Sequence, residues 1–119
     1  MKFKNCFIDD DGSIWGTTSL IKNSMNLPVF QFEVKTVCLD EIMRWTIINV
    51  RDYCVHFKRV RDADLTKPII LRSDGYIMDG WHRIIKALTH GVKTLPAKQF
   101  EVTPTPDFTQ QDEAYHKKG

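Results

Sequence analysis

The sequence predicts an α+β (mixed α/β) fold in which two or three helices pack on a small mixed sheet. Three observations lead to this prediction. Residues 68–72 are rich in β-branched side chains and are followed by Asp74-Gly75, a dipeptide typical of two-residue hairpin turns. Apolar residues recur at helical spacing over residues 81–90. Residues 29–39 alternate between apolar and polar, as a half-buried strand does.

Length and composition predict a single soluble domain. The chain has 119 residues, enough for one domain with a hydrophobic core. Hydrophobic residues make up 42% and charged residues 27%, the composition of a globular protein. No apolar run approaches the ~18 residues of a membrane helix, and the N-terminus lacks a signal-type apolar core. We therefore expect a cytoplasmic protein, with its three widely spaced cysteines as free thiols.

Residues 1–28 are predicted to form an N-terminal hairpin and a connector. Asp9-Asp10-Asp11-Gly12 supplies an acidic turn between two apolar stretches. A calcium loop is disfavoured, because its spacing would require acids where Phe7 and Thr18 stand. Residues 29–100 form the main predicted domain, and residues 101–119 lose periodicity and form a predicted polar C-terminal tail.

Two helices are predicted between the first strand of the main domain and the later hairpin. The first covers residues 39–45 and is capped by its own acids, Asp40 and Glu41. The second covers residues 52–62 and has an apolar set at helical spacing, namely Tyr53, Phe57 and Val60. We expect this set to pack on the sheet, with Lys58, Arg59 and Arg61 on the remaining face.

The helix predicted at residues 81–90 begins directly after a strand. Asp79 is suited to its N-cap, Gly80 permits a tight strand-to-helix turn, and Gly91 ends it. A helix N-terminus presents main-chain N–H groups that lack partners within the helix, at the positive end of the helix dipole, so it attracts phosphate. His82 and Arg83 lie in this first turn and add two side-chain donors. Residues 95–100 are predicted to form the next strand.

The order of these features resembles the ParB N-terminal and sulfiredoxin-like superfamily, which includes the ParB-like nuclease domain. The resemblance covers residues 33–100 and is carried by Gly80-Trp81-His82-Arg83 between a hairpin and a closing strand. Upstream, Asn49-Val50-Arg51 is similar to the Asn-Pro-Arg box of that superfamily. Trp81 stands where sulfiredoxins carry their redox cysteine, so the resemblance does not imply sulfinic-acid repair.

The resemblance implies that the domain binds a nucleoside triphosphate, ATP or CTP with Mg²⁺, and hydrolyses it or transfers its phosphate. The residues it implies for nucleotide binding are Gly80, Trp81, His82 and Arg83, assisted by Arg51 and Lys58. The resemblance also implies that three acids bind magnesium or act as a general base, namely Asp40, Glu41 and Asp79. The alternative is a non-catalytic DNA- or protein-binding accessory module, such as an inhibitor from a phage or plasmid, or a ParB-like nuclease.

The charge distribution agrees with an anionic ligand but has a simpler explanation as well. Residues 51–100 hold ten Lys and Arg against five Asp, which suits a polyphosphate and also suits a solvated helix face. Arg83 has a structural alternative too, an ion pair with Asp79, Asp52 or Asp40. The structural alternative for Asp79 is a helix cap, and the structural alternative for Trp81 is a side chain packed under the turn. His56, His90 and His116 are isolated in the sequence, and no metal site is predicted.

Overall fold

A computed structural model describes residues 6–9, 11–38 and 47–109 of the chain. Its elements are, in chain order, β1 (Cys6–Ile8), β2 (Ser13–Gly16), α1 (Thr17–Asn23), β3 (Phe30–Glu33), a 3₁₀ turn (Val34–Thr36), α2 (Val50–Asp62), β4 (Ile69–Leu71), β5 (Ile77–Asp79), α3 (Trp81–His90), β6 (Thr94–Gln99) and β7 (Phe108–Thr109). The predicted α+β class is confirmed. None of the described helices combines the length and apolar composition that a bilayer span requires. The helix predicted at residues 39–45, with Asp40 and Glu41, lies outside the described residues.

The described strands form two sheets. One has the order β1-β2-β7, with β2 antiparallel to both neighbours and Phe7 opposite Trp15. The other has the order β3-β6-β4-β5, with β3 antiparallel to β6 and β4 antiparallel to β5. The chain divides into two units, each with its own internal contacts. Unit 1 holds residues 6–9, 11–27, 70–79 and 99–109 among those described, and unit 2 holds residues 28–38, 47–69 and 80–98.

Unit 1 is built around the β1–β2 hairpin, which the sequence predicted. The rings of Phe7 and Trp15 lie in its buried cluster with centroids 5.8 Å apart, and the other members of the cluster are Leu20, Ile70, Met78 and Phe100. The acidic turn is explained by hydrogen bonding, because Asp9 Oδ1 accepts from the main-chain N–H groups of Asp11 and Ser13. Asp9 therefore stabilises the turn between two strands.

Two parts of unit 1 differ from the sequence prediction. The predicted connector contains α1, a helix of two turns in which Leu20 is the buried residue, so no apolar period marks it. The described part of the predicted tail returns to the hairpin, where β7 pairs with β2. Asp107 fixes this return, since its carboxylate accepts hydrogen bonds from Gly16 N at 2.8 Å and Ser19 Oγ at 2.9 Å.

The β4–β5 hairpin is present, but its loop is one residue longer than predicted. Arg72 N donates to Tyr76 O and Gly75 N donates to Arg72 O, so Ser73, Asp74 and Gly75 form a three-residue loop. Gly75 has φ +92°, the left-handed conformation that such loops place at their last position. The Asp74 carboxylate also makes two hydrogen bonds of 2.9 Å with the Arg72 guanidinium, which holds the loop closed.

Unit 2 packs α3 and β6 around a small set of buried residues, namely Val34, Ile69, Ile84, Ala87, Leu95 and Ala97. The predicted strand at residues 29–39 is shorter than expected, because β3 ends at Glu33 and the chain then enters the 3₁₀ turn. Val34 is buried there and its N–H donates to the carbonyl oxygen of Lys93. The strand after α3 is confirmed as β6.

Helix α2 is present as predicted, but its orientation differs from the predicted one. Asn49 caps it by accepting from Asp52 N at 3.0 Å, and Asp52 Oδ2 accepts in return from Ile48 N at 2.9 Å. The prediction that Tyr53 and Phe57 pack on the sheet is wrong, because their exposed fractions are 54% and 68%. The helix instead turns its polar side towards α3.

Candidate functional site

The candidate site begins at the junction of β5 and α3. Gly80 is the N-cap of α3 and has φ +119°. A Cβ at this position would lie 2.8 Å from Ile69 Cβ and closer still to Ile69 Cγ2. Only glycine fits here, because the conformation is left-handed and the neighbouring side chain leaves no room.

Asp79 is not the N-cap that the sequence predicted. It is the last residue of β5 and pairs with Ile70 across the hairpin, while Gly80 occupies the cap position and has no side chain to satisfy the first N–H groups. The first N–H groups of a helix have no acceptor within the helix itself and form the positive end of its dipole. Strand β5 is therefore followed directly by α3, and the cap residue Gly80 has no side chain that could accept hydrogen bonds from the first N–H groups of the helix.

A pair of histidines lies beside this turn. His82, in the first turn of α3, and His56, in the middle of α2, have ring centroids 5.2 Å apart and an interplanar angle of 13°. His56 Nδ1 and His82 Nε2 are 3.0 Å apart, so one nitrogen donates a hydrogen bond to the other. His56 is isolated in the sequence but has a partner in the structure. Its partner is 26 residues away on another helix, and no local sequence spacing marks such a pair.

The surroundings of the histidine pair are positively charged. Burial is the largest of the causes that lower the pKa of His82 to about 4, and the charges of His56, Arg59 and Arg83 act in the same direction. Burial and Arg59 likewise lower the pKa of His56, against an opposing effect of Asp52. Both rings are therefore neutral at pH 7. Burial is the larger cause, and the additional lowering by the arginine charges indicates that the potential at the His82 ring is positive.

We expect the stability of the protein to fall as pH decreases from about 6.5 to about 4. The pKa of His82 is lowered from its ordinary value of 6.5 to about 4 in the folded chain. The unfolded chain therefore binds this proton more readily, and stability is lost across that window as pH falls. Because His82 is partly exposed, solvent screening limits the loss to on the order of 1 kcal/mol.

Urea unfolding at pH 7.5 and pH 5 measures this dependence. The variant His82→Gln removes the titrating ring and should lose less stability than the wild type between the two pH values. His90→Gln replaces an exposed histidine at the other end of α3 and should keep the wild-type difference. Equal pH dependence of the wild type and His82→Gln would contradict the assignment.

Arg83 is anchored by a main-chain acceptor. Its Nη1 donates to the carbonyl oxygen of Pro68 at 2.9 Å, a partner that the sequence did not indicate. Its charge also contributes to the lowered pKa of Asp64, after the hydrogen bonds that Asp64 accepts from Thr66. The guanidinium is thereby held next to the first turn of α3, from where its charge reaches His82.

Lys86 fixes α2 against α3. Its Nζ donates to the carbonyl oxygens of Arg61 at 2.7 Å and Ala63 at 2.8 Å, at the C-terminal end of α2. A cation at this end of a helix satisfies its last carbonyls and the negative end of its dipole. This contact, together with the His56–His82 contact, sets which side of α2 faces the site.

The other predicted site residues are distributed unevenly. Trp81 is the first residue of α3 and is partly buried. Arg51 and Lys58 are exposed, and at 100° per residue they lie about 140° and about 160° around α2 from His56. The structure does not bring these two cations to His82. Asp40 and Glu41 lie outside the described residues.

Three residues of the site were missed in the sequence, namely His56, Arg59 and Lys86. His56 and Arg59 lie on one side of α2, three residues apart. In the sequence, the apolar spacing of Tyr53 and Phe57 in the same helix is the stronger signal, and it predicts the wrong side.

Among residues 6–9, 11–38 and 47–109, no group of three or more His, Cys, Asp or Glu is placed to hold a metal ion. Comparisons with family models, with curated proteins and with solved structures find no match to this chain.

Proposed function

We propose that this chain binds the phosphate groups of a nucleoside triphosphate at the first turn of α3. The observation that carries the proposal is the set of donors and charges at the first turn of α3, where the Arg83 guanidinium is fixed by its hydrogen bond to the carbonyl oxygen of Pro68 and the His56–His82 pair lies alongside. The charges of Arg59 and Arg83 add to the effect of burial in lowering the pKa of His82, so the site is positive. A half-buried positive site at the N-terminus of a ten-residue helix favours an anion of high charge density.

Each element of the site has a defined part in such binding. The N–H groups of the first turn of α3 point along the helix axis towards the ligand. Arg83 and Arg59 supply charge, and the imidazoles supply a neutral donor. The histidine pair keeps a second N–H in either tautomer. If His56 Nδ1 donates the hydrogen bond, the second N–H is on His82 Nδ1, and if His82 Nε2 donates it, the second N–H is on His56 Nε2.

The remaining sequence predictions extend this proposal. Membership of the ParB and sulfiredoxin-like superfamily would favour ATP or CTP with Mg²⁺ as the ligand. Asp79 precedes Gly80 in the chain, and it remains the proposed base or magnesium ligand together with Asp40 and Glu41. In this scheme the protein hydrolyses the nucleotide or transfers its phosphate.

Calorimetric titration with ATP, CTP and GTP, each with and without Mg²⁺, tests the proposal. We expect Arg83→Ala to weaken binding of the preferred nucleotide by ~1.5–3 kcal/mol, since a charge-assisted contact is lost. Lys93→Ala is the matched control, because it removes one exposed cation two residues beyond Gly91 at the other end of α3. It should bind as the wild type does.

Two results would overturn the nucleotide proposal. One is that the wild type binds none of these nucleotides at millimolar concentration. The other is that Arg83→Ala, folded by circular dichroism, binds as tightly as the wild type, which would leave the Pro68 contact as the role of Arg83. A turnover assay on the nucleotide that binds then decides between an enzyme and a binding domain, and magnesium-dependent cleavage of duplex DNA would favour the nuclease alternative.

A further inference from the structure

One side of α2, centred about 110° around the helix from His56, exposes large apolar side chains. We call it the outer face of α2 and define it by Val50, Tyr53, Cys54 and Phe57 of the helix, together with Ile48, which lies two residues before the helix begins. The exposed fractions of Ile48 and Val50 are 81% and 76%, and those of Tyr53 and Phe57 are 54% and 68%. The rings of Tyr53 and Phe57 stack on each other, with centroids 6.3 Å apart and an interplanar angle of 27°.

The outer face has the spacing of a helix–helix contact. Val50, Tyr53, Cys54 and Phe57 stand at positions i, i+3, i+4 and i+7, which place them within an arc of about 100°. No residue of α2 is buried, although the helix has 13 residues and is held by an N-cap and by Lys86. A contiguous apolar stripe on such a well-anchored helix marks an interaction surface rather than an exposed core.

One border of the stripe is basic. Arg51, Lys58 and Arg61 fall within an arc of about 80°, which begins about 20° from Val50 and includes Cys54. Arg61 makes a hydrogen bond of 3.0 Å with Asp62, so Arg51 and Lys58 carry the net positive charge of this border. A partner that covers the stripe must place groups next to these two cations, and carboxylates satisfy them best.

Charge and shape distinguish the possible occupants. A second copy of this chain, paired through the same face, would bring Arg51, Lys58 and Arg61 towards their own copies, which costs energy. A nucleic acid would gain little from aliphatic side chains such as Ile48 and Val50, and one face of each aromatic ring is already covered by the other ring. We propose that the outer face of α2 binds an amphipathic helix of a partner protein, one whose apolar stripe is bordered by Asp or Glu. This proposal is independent of the nucleotide site.

A designed peptide pair tests the charge and shape of this partner. The first peptide is an amphipathic helix of ~18 residues, about five turns, with Leu at i, i+3, i+4 and i+7 and Glu along the border. The second is identical but carries Lys in place of Glu. By fluorescence anisotropy, we expect the Glu peptide to bind the full chain at least about tenfold more tightly than the Lys peptide. The double variant Arg51→Glu, Lys58→Glu should reverse this preference.

Variants of the apolar stripe locate the binding site. Phe57→Ser and Tyr53→Ser should each weaken binding of the Glu peptide by about tenfold. Val102→Ser is the matched control, since it removes a side chain that is 83% exposed in unit 1, and it should change nothing. All of these side chains are exposed, so the variants should keep the wild-type circular dichroism and the wild-type response to nucleotides.

Three outcomes would overturn the proposal. The first is equal affinity for the Glu and Lys peptides. The second is a dimer in analytical ultracentrifugation that Phe57→Ser abolishes, which would assign the outer face of α2 to a second copy of the chain. The third is that a single-stranded oligonucleotide binds more tightly than the Glu peptide and that Phe57→Ser and Lys58→Glu each abolish oligonucleotide binding. This result would assign the outer face of α2 to nucleic acid.

Discussion

Gly80→Ala should lower the free energy of unfolding by about 3–5 kcal/mol, the largest effect that we expect from a single substitution. Two costs add up. A φ of +119° is a strained conformation for alanine. The added methyl would also lie 2.8 Å from Ile69 Cβ, and Ile69 is fully buried, so its side chain has no space into which it can move.

Gly75→Ala is the matched control for this prediction. Gly75 also has a positive φ, +92°, but a Cβ there would meet nothing within 4 Å. Its substitution should therefore cost only the conformational part, about 1–2 kcal/mol. Urea unfolding of both variants and the wild type gives the two values. Equal losses for Gly75→Ala and Gly80→Ala would show that the contact with Ile69 relaxes and that backbone conformation alone decides the effect.

Ile84→Ala should destabilise the protein by about 3 kcal/mol, within the usual range of 2–5 kcal/mol for a large aliphatic residue in a core. Ile84 is fully buried in unit 2, on the side of α3 that also buries Ala87. The truncation leaves a cavity that the fixed packing of the surrounding core cannot fill.

The matched control in the same helix is Leu88→Ala. The sequence places Ile84 and Leu88 one turn apart on the same apolar side of the helix, which predicts similar losses for the two substitutions. In the structure Leu88 is 41% exposed, so we expect Leu88→Ala to cost less than about 1 kcal/mol. Denaturant midpoints of both variants measure the difference. Comparable losses at the two positions would contradict the burial that the structure shows.

Local signals in the sequence were sufficient for the hairpin and helix around Gly80. Asp74-Gly75 predicted the turn between β4 and β5, and the structure adds one loop residue because Arg72 pairs with Tyr76. Gly91 ends α3 in the left-handed conformation, with φ +70°, as predicted. Such signals act within a few residues, so they can be recognised without knowledge of the rest of the fold. Helix α1 escaped recognition because a single buried residue, Leu20, cannot produce a period.

The orientation of α2 could not be inferred in the same way. Tyr53 and Phe57 are the aromatic residues of that helix and lie one turn apart, and burial of apolar surface normally decides which side of a helix faces the core. Here polar contacts with α3 decide instead, through the His56–His82 bond and the two hydrogen bonds of Lys86. The consequence is an exposed apolar face on α2, whereas the sequence pattern alone predicts that this face is buried.

The sequence by itself determined the strand, the glycine and the helix start at which we propose that an anion binds, since the turn, the glycines and the helical period all lie within residues 68–91. It also supplied two of the proposed donors, His82 and Arg83. Only the tertiary structure decided that His56 and Arg59 join them and that Arg51 and Lys58 do not. The physical reason is that a helix has several sides, and the one facing its neighbour is chosen by contacts between residues far apart in the chain, here His56 with His82 and Lys86 with the last carbonyls of α2.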